Sequence, residues 1–174
     1  MNSKNRTVVA VIDSGIFMQT TNPNFDLEST EIYITPEVEA EILSKISQVL
    51  YTVFKSKVRI SVISPSSDSV RETLKKNNEI AQGTLSNQDL SIVALAWEFK
   101  QAGKKVTLYS DDFGIRNLAK FMKICVRGVR QNKIVRKRKY TFTCIACGAI
   151  FQEIIDECDV CGHQSFKRNF QKSK

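Results

Sequence analysis

Two cysteine pairs, Cys144-x-x-Cys147 and Cys158-x-x-Cys161, stand ten residues apart toward the end of the chain, and no other feature limits its fold so sharply. Four thiolates at this spacing can close one tetrahedral zinc site. Two disulfides, or four unrelated buried thiols, are the competing explanation. Gly148 and Gly162 directly follow the second cysteine of each pair, which suits a tight turn that aims backbone amides at sulfur. Residues 140–170 are therefore expected to form a small zinc ribbon holding one structural Zn²⁺. A unit of roughly 30 residues cannot bury a sufficient core alone, so metal binding should supply most of its folding free energy.

Charge divides the chain at nearly the same place. Residues 1–126 carry 15 Lys and Arg against 14 Asp and Glu, whereas residues 127–174 carry 11 against 4. Arg127, Arg130, Lys133, Arg136, Lys137, Arg138 and Lys139 form a dense run over 127–139, ahead of the ribbon. Such a run can be only a solvated linker, but beside a ribbon it reads better as a track for nucleic-acid phosphates. Residues 171–174 are a tail. No charged-then-apolar leader opens the chain and no run of 18 apolar residues occurs, so a cytoplasmic protein with no membrane partner is expected.

Residues 1–126 alternate apolar strands with amphipathic helices. The run over 7–12 is continuously apolar and ends in Asp13-Ser14-Gly15, as a strand buried on both faces does. Shorter strands are expected over 32–34, 58–63, 106–109 and 124–126. Pro36 opens one long helix with Val38, Ile42, Ile46, Val49 and Val53 as its apolar stripe. Further helices should run from Ser67 to about Ala81, from Ser86 to near Gly103 with Leu90, Val93, Ala94 and Trp97 buried, and from Asp111 and Asp112 through Phe121. This alternation predicts an α/β domain, a mostly parallel sheet flanked by helices. Cys125, in an apolar run, is expected to be a buried structural thiol.

The acids fall where such a sheet forms its sites. Asp13 ends the first strand, Asp89 lies in the first turn of a helix, and Asp111 and Asp112 follow a later strand, all at positions where ligands of open α/β sheets bind. A further carboxylate is expected from Glu37, Glu39 or Glu41. Crowded carboxylates repel unless a cation neutralises them, and hard oxygen donors suit Mg²⁺ or Mn²⁺. Each acid also has a plain structural role open to it. Asp89 can complete a capping box with Ser86, Asp111 and Asp112 can cap the next helix, and Asp13 can brace its turn.

Val11-Ile12-Asp13-Ser14-Gly15-Ile16-Phe17, Val38-Glu39-Ala40-Glu41-Ile42, Leu85-Ser86-Asn87-Gln88-Asp89 and Ser110-Asp111-Asp112-Phe113 through Asn117 resemble the successive motifs of PIN-domain nucleases. With the ribbon, nearly the whole chain resembles the Nin-one-binding family of endonucleases that mature the 3′ end of small-subunit ribosomal RNA. The resemblance implies Mg²⁺- or Mn²⁺-dependent hydrolysis of one RNA phosphodiester by water, on a precursor small ribosomal subunit. It implies Asp13, Glu41, Asp89 and one of Asp111 and Asp112 as catalytic residues, with Asp13, Asp89 and Asp112 on the metal. Arg116 stands where relatives tend to carry a neutral amide, a departure bearing on RNA contact. His163, the single histidine, is expected to be exposed or in contact with RNA. Phe142, Phe151 and Phe166 are expected mainly to pack the ribbon, and Phe170 to stack on a base. A toxin-type PIN ribonuclease and a non-catalytic zinc-ribbon RNA-binding adaptor are the alternatives, and association of two copies is left open.

Overall fold

In the computed structural model, which describes residues 8–17, 30–43, 48–80, 85–128, 138–153 and 155–172, the apolar runs of the larger unit become one parallel sheet. Its strands are β1 (Val8–Ile12), β2 (Thr30–Ile34), β3 (Ile60–Val62), β4 (Lys105–Tyr109) and β5 (Cys125–Arg127), in the order β3-β2-β1-β4-β5. Every pairing is parallel. β1 is central, and Val9 through Ile12 are wholly buried, which is why its sequence is apolar throughout rather than alternating. The order reverses between β1 and β4, so the crevice above their carboxyl ends is the switch point of the sheet.

Five helices cover the sheet: α1 (Pro36–Leu43), α2 (Gln48–Lys57), α3 (Ser67–Glu79), α4 (Asn87–Gln101) and α5 (Phe113–Phe121). Side chains close the open amides at three of their starts. Ser66 accepts from the Ser69 amide, Ser86 and Asp89 form a reciprocal capping box, and Asp112 accepts from the Ile115 amide. α4 is buried continuously from Leu90 to Ala96, because it packs on α1, α3, α5 and the sheet.

The single long helix expected after Pro36 is two helices. Ile46 lies outside the described residues. Val49 and Val53 are 69% and 47% exposed. α2 instead buries Tyr51 and Phe54, whose rings meet Phe17 edge-on at centroid distances of 5.3 and 5.4 Å. Two helices do not share one phase, and an aromatic pair removes more apolar area from water than two valines do. The strand expected over 58–63 is shorter, and Val62 and Ile63 are exposed at the sheet edge. Trp97 is half-buried rather than buried. Cys125 is exposed, contrary to expectation, because two-residue alternation along edge strand β5 turns Ile124 and Val126 to the core and the cysteine away.

The second unit is an antiparallel sheet of β6 (Arg138–Cys144), β7 (Ile150–Phe151) and β8 (Phe166–Lys172), with β6 central. Phe142 is buried, and Phe151 meets Phe166 edge-on at 5.8 Å, so these rings pack the ribbon. The Phe170 side chain lies outside the described residues. The Tyr140 amide donates to the Ile80 carbonyl at 3.2 Å, which ties β6 to the end of α3. Among the described residues no helix is long and apolar enough to cross a membrane.

Candidate active site and cysteine centre

Parallel pairing of β1 with β4 sets Ile12 beside Tyr109, so the residues that follow each strand emerge together. The Asp13 amide donates to the Tyr109 carbonyl at 3.0 Å. Ser110, wholly buried, donates its hydroxyl to Asp13 Oδ2 at 2.7 Å and accepts from the Asp112 amide at 3.0 Å. The Ser14 hydroxyl donates to Asp13 Oδ1 at 3.3 Å. Asp13 makes no side-chain cap bond. Burial pushes its carboxyl above the ordinary carboxylate range; the Ser110 hydroxyl pulls it back, and the charge of Asp89 adds to the rise. The charge of Asp89, 76 positions away in the chain, therefore acts on Asp13.

Asp89 caps α4. Its Oδ2 accepts from the Ser86 amide (3.0 Å) and hydroxyl (2.8 Å). The α1 acids separate by helical phase. Glu39 accepts from the Tyr51 hydroxyl at 2.9 Å and pairs with Lys55 at 3.5 Å, so it belongs to the α2 side. Glu41 accepts from Gln88, and Glu37 accepts from Ser91 at 3.2 Å. Both therefore reach the first turn of α4, next to Asp89, and Glu39 is removed from the candidates. Asp111 is half-buried at the end of β4, while Asp112 is exposed with Oδ1 on the Ile115 amide.

No described Lys or Arg ion-pairs with Asp13, Asp89 or Asp112. A buried carboxyl beside a second acid, with no cationic side chain to balance it, fits a divalent ion with oxygen ligands. The carboxylates stand further apart than the cysteines do: among the described residues, the four sulfurs are the group of three or more such ligands lying within 4.8 Å of one another.

Those sulfurs come from β6 and from two turns. Cys144 and Cys161 Sγ lie 3.6 Å apart, as do Cys147 and Cys158 Sγ. The edges of a zinc–sulfur tetrahedron with bonds of about 2.3 Å measure roughly 3.8 Å, so the spacing suits one ion. Gly148 and Gly162 have φ of 76° and 72°, a conformation that glycine adopts freely. The Cys147 amide, with that of Ala146, lowers the Cys144 thiol to about 6. The His163 amide lowers Cys161, but the neighbouring thiols outweigh it and push Cys161 to about 12. His163 itself is half-buried, with Nε2 enclosed, rather than exposed.

Among the basic residues, Arg127 ends β5 opposite Tyr109, at the same end of the sheet as the acids. Arg138 and Lys139 open β6. Arg130, Lys133, Arg136 and Lys137 lie outside the described residues. Arg116 is 2% exposed and so cannot reach RNA as expected, because it lies on the buried face of α5 from Ile115 to Ala119. Sequence reasoning missed Ser110, Gln88 and Ser91. Ser110 carried one signal, a small hydroxyl at the carboxyl end of a strand beside two acids.

A family model described as the PIN domain of ribonuclease matches residues 10–99. The chain is 31% identical over 147 residues to the endoribonuclease Nob1 of Pyrococcus abyssi, covering 83% of this chain and 82% of that protein. It is 33% identical over 171 residues to the endoribonuclease Nob1 of Methanocaldococcus jannaschii, covering 95% and 80%. The ribonuclease VapC1 of Thermoplasma acidophilum is 25% identical over 170 residues, covering 96% and 81%.

Proposed function

The chain belongs to the PIN-domain endoribonucleases of the Nob1 family, and from that premise we infer that it cuts precursor small-subunit ribosomal RNA near its 3′ end during ribosome maturation. The endoribonuclease activity follows from the family. The observation that carries this reading is the burial of Asp13 at the switch point of the sheet, where Ser110 orients one of its oxygens and the charge of Asp89 acts on it. Asp13, Asp89, and Asp111 or Asp112 would hold a divalent ion, Mg²⁺ or Mn²⁺, with Glu41, which accepts from Gln88, as the further acid. When bound, such an ion acidifies a water and offsets charge on a phosphate oxygen.

The chain's own residues divide the remaining work. Ser110 and Ser14 fix the rotamer of Asp13. Residues 1–126 cut; the basic segment 127–139 and the ribbon, with one structural Zn²⁺ on its four cysteines, place the RNA through its phosphates. Arg127 supports this reading, since it brings that segment to the acid end of the sheet.

The test incubates purified protein with Mn²⁺ and an RNA spanning the 3′ end of small-subunit rRNA, beside Asp13→Asn and Asp89→Asn. Cleavage at one site by the parent and by neither variant is the expected result. Equal cleavage by all three removes the acids from the mechanism. The ribbon does not by itself separate this reading from a toxin-type one, because the VapC1 relative matches over 96% of this chain. Cleavage of unrelated RNAs at comparable rates would favour the toxin-type reading.

A further inference from the structure

At the other end of α4 from the acids lies a pocket of about 300 Å³, lined by Glu72, Trp97, Lys100, Phe121, Met122 and Lys123, with Lys76 at its rim. Asp89 stands in the first turn of α4 and Lys100 in the last, so a rise of 1.5 Å per residue puts roughly 16 Å between them. The pocket is distinct from the acidic crevice.

Two features of this pocket oppose stability. The first is Lys123. α4 and α5 end in the same way, with the residue two past the helix in the left-handed conformation. After α4, Gly103 (φ 76°) donates to the Lys100 carbonyl while Lys104 donates to Phe99. After α5, Lys123 (φ 55°) donates to Lys120 while Ile124 donates to Ala119. Glycine suits that position and a side chain is strained there, and Lys123 is the non-glycine residue with positive φ among the described residues. The second feature is charge. Lys100 is held over the Trp97 ring at 4.9 Å and donates to the Met122 carbonyl at 2.8 Å. Its ammonium is lowered by burial and by the nearby Lys123. Lys76 is ion-paired with Glu79, but among the described residues neither Lys100 nor Lys123 pairs with a carboxylate. A strained lysine pressed toward a fixed one, at the mouth of an apolar aromatic pocket, is an arrangement that an anion would relieve.

We propose that this pocket binds one unpaired nucleotide of the RNA, its base against Trp97, Phe121 and Met122 and its phosphate on Lys100 and Lys123. Bases offer a flat apolar face and phosphates a charge, and single-stranded RNA is held through that combination. The proposal rests on the chain's being an endoribonuclease and not on which RNA it cuts.

Trp97 is the only tryptophan in the chain, so its fluorescence reports on this pocket alone. The experiment titrates the Asp13→Asn protein, which does not cut, with an oligouridine of about ten nucleotides, with and without Lys123→Gly. RNA should quench Trp97. Lys123→Gly should weaken binding about fivefold at ~0.1 M salt and lower the salt slope by about 0.7, the share of one phosphate contact on a single strand. The same variant should raise Tm by about 2–4 °C through relief of strain, so affinity and stability move in opposite directions. A structural role alone would move Tm without affinity. Binding with unchanged Trp97 emission and an unaltered salt slope in the variant overturns the proposal. Quenching by polyglutamate but not by oligouridine also overturns it, and assigns the pocket to an acidic protein segment.

Discussion

Ser110→Ala isolates one hydrogen bond on which the proposed chemistry depends. The hydroxyl is wholly buried and lies 2.7 Å from Asp13 Oδ2, a geometry in which a bond to an ionised carboxylate contributes about 1.5–3 kcal/mol. Its loss penalises the charged form of Asp13, which burial already disfavours. A metal-binding Asp13 must be ionised. Below the acid limb of the pH–rate profile, where only a fraction of Asp13 is charged, that energy translates into a rate loss of about 10- to 100-fold. Well above the limb, Asp13 is ionised in both proteins and the loss should shrink toward none. Single-turnover cleavage at saturating Mn²⁺ between pH 5 and pH 9 would show the limb displaced toward higher pH with its plateau retained. The Asp112 amide also loses its acceptor, so some loss of Tm accompanies the change. A parallel fall in rate at every pH, or no displacement of the limb, would refute the role given to this hydroxyl.

Asp13→Asn should abolish cleavage yet stabilise the fold. The folded-state value of Asp13 lies above its ordinary 3.8, so the folded chain binds the proton more tightly and stability falls as pH rises through that window. Without added Mg²⁺ or Mn²⁺, the variant should melt above the parent at pH 7, and the two should converge toward pH 4. Zinc removal by a chelator should leave ellipticity at 222 nm nearly unchanged, because the α-helices of the described residues all precede Met122, while RNA affinity drops. A binding free energy of about 10–16 kcal/mol calls for a chelator of picomolar strength, and collapse of the helical signal would show that the units do not fold separately. Val49→Ala should change stability by less than ~0.5 kcal/mol, whereas Tyr51→Ala should cost about 3 kcal/mol or more in urea melts. Equal effects would contradict the assignment of the buried face of α2.

What could be read in the chain followed from how local each cause is. The β1 run, the capping box at Ser86 and the two cysteine turns are written within a few neighbouring residues, and the structure contains all three. The helical stripe after Pro36 failed because valines at regular spacing look alike whether one helix or two carry them, and Phe17, which decides the buried face, is 34 residues from Tyr51. The same limit hid Ser110, whose partner Asp13 is 97 positions away. Glu39 and Glu41 could not be separated by periodicity until Tyr51 claimed the first and Gln88 the second. Arg116 and Cys125 were each placed on the wrong side of the surface. A guanidinium can be enclosed within a helix face, and an apolar run of three residues does not say which of them an edge strand turns outward.

β6 begins at Arg138, within the last two residues of the basic run, and ends at Cys144, the first of the four thiols, with every residue between them laddered to β8. One strand therefore joins the basic segment proposed to bind RNA to the cysteine centre. If the cysteine centre holds zinc, as proposed, its loss would remove the far anchor of the ladder, and the proposed grip on RNA would loosen while the acids stay where they were. Cellular zinc supply would thus act as a clutch on this enzyme, disengaging it from its substrate without touching the blade.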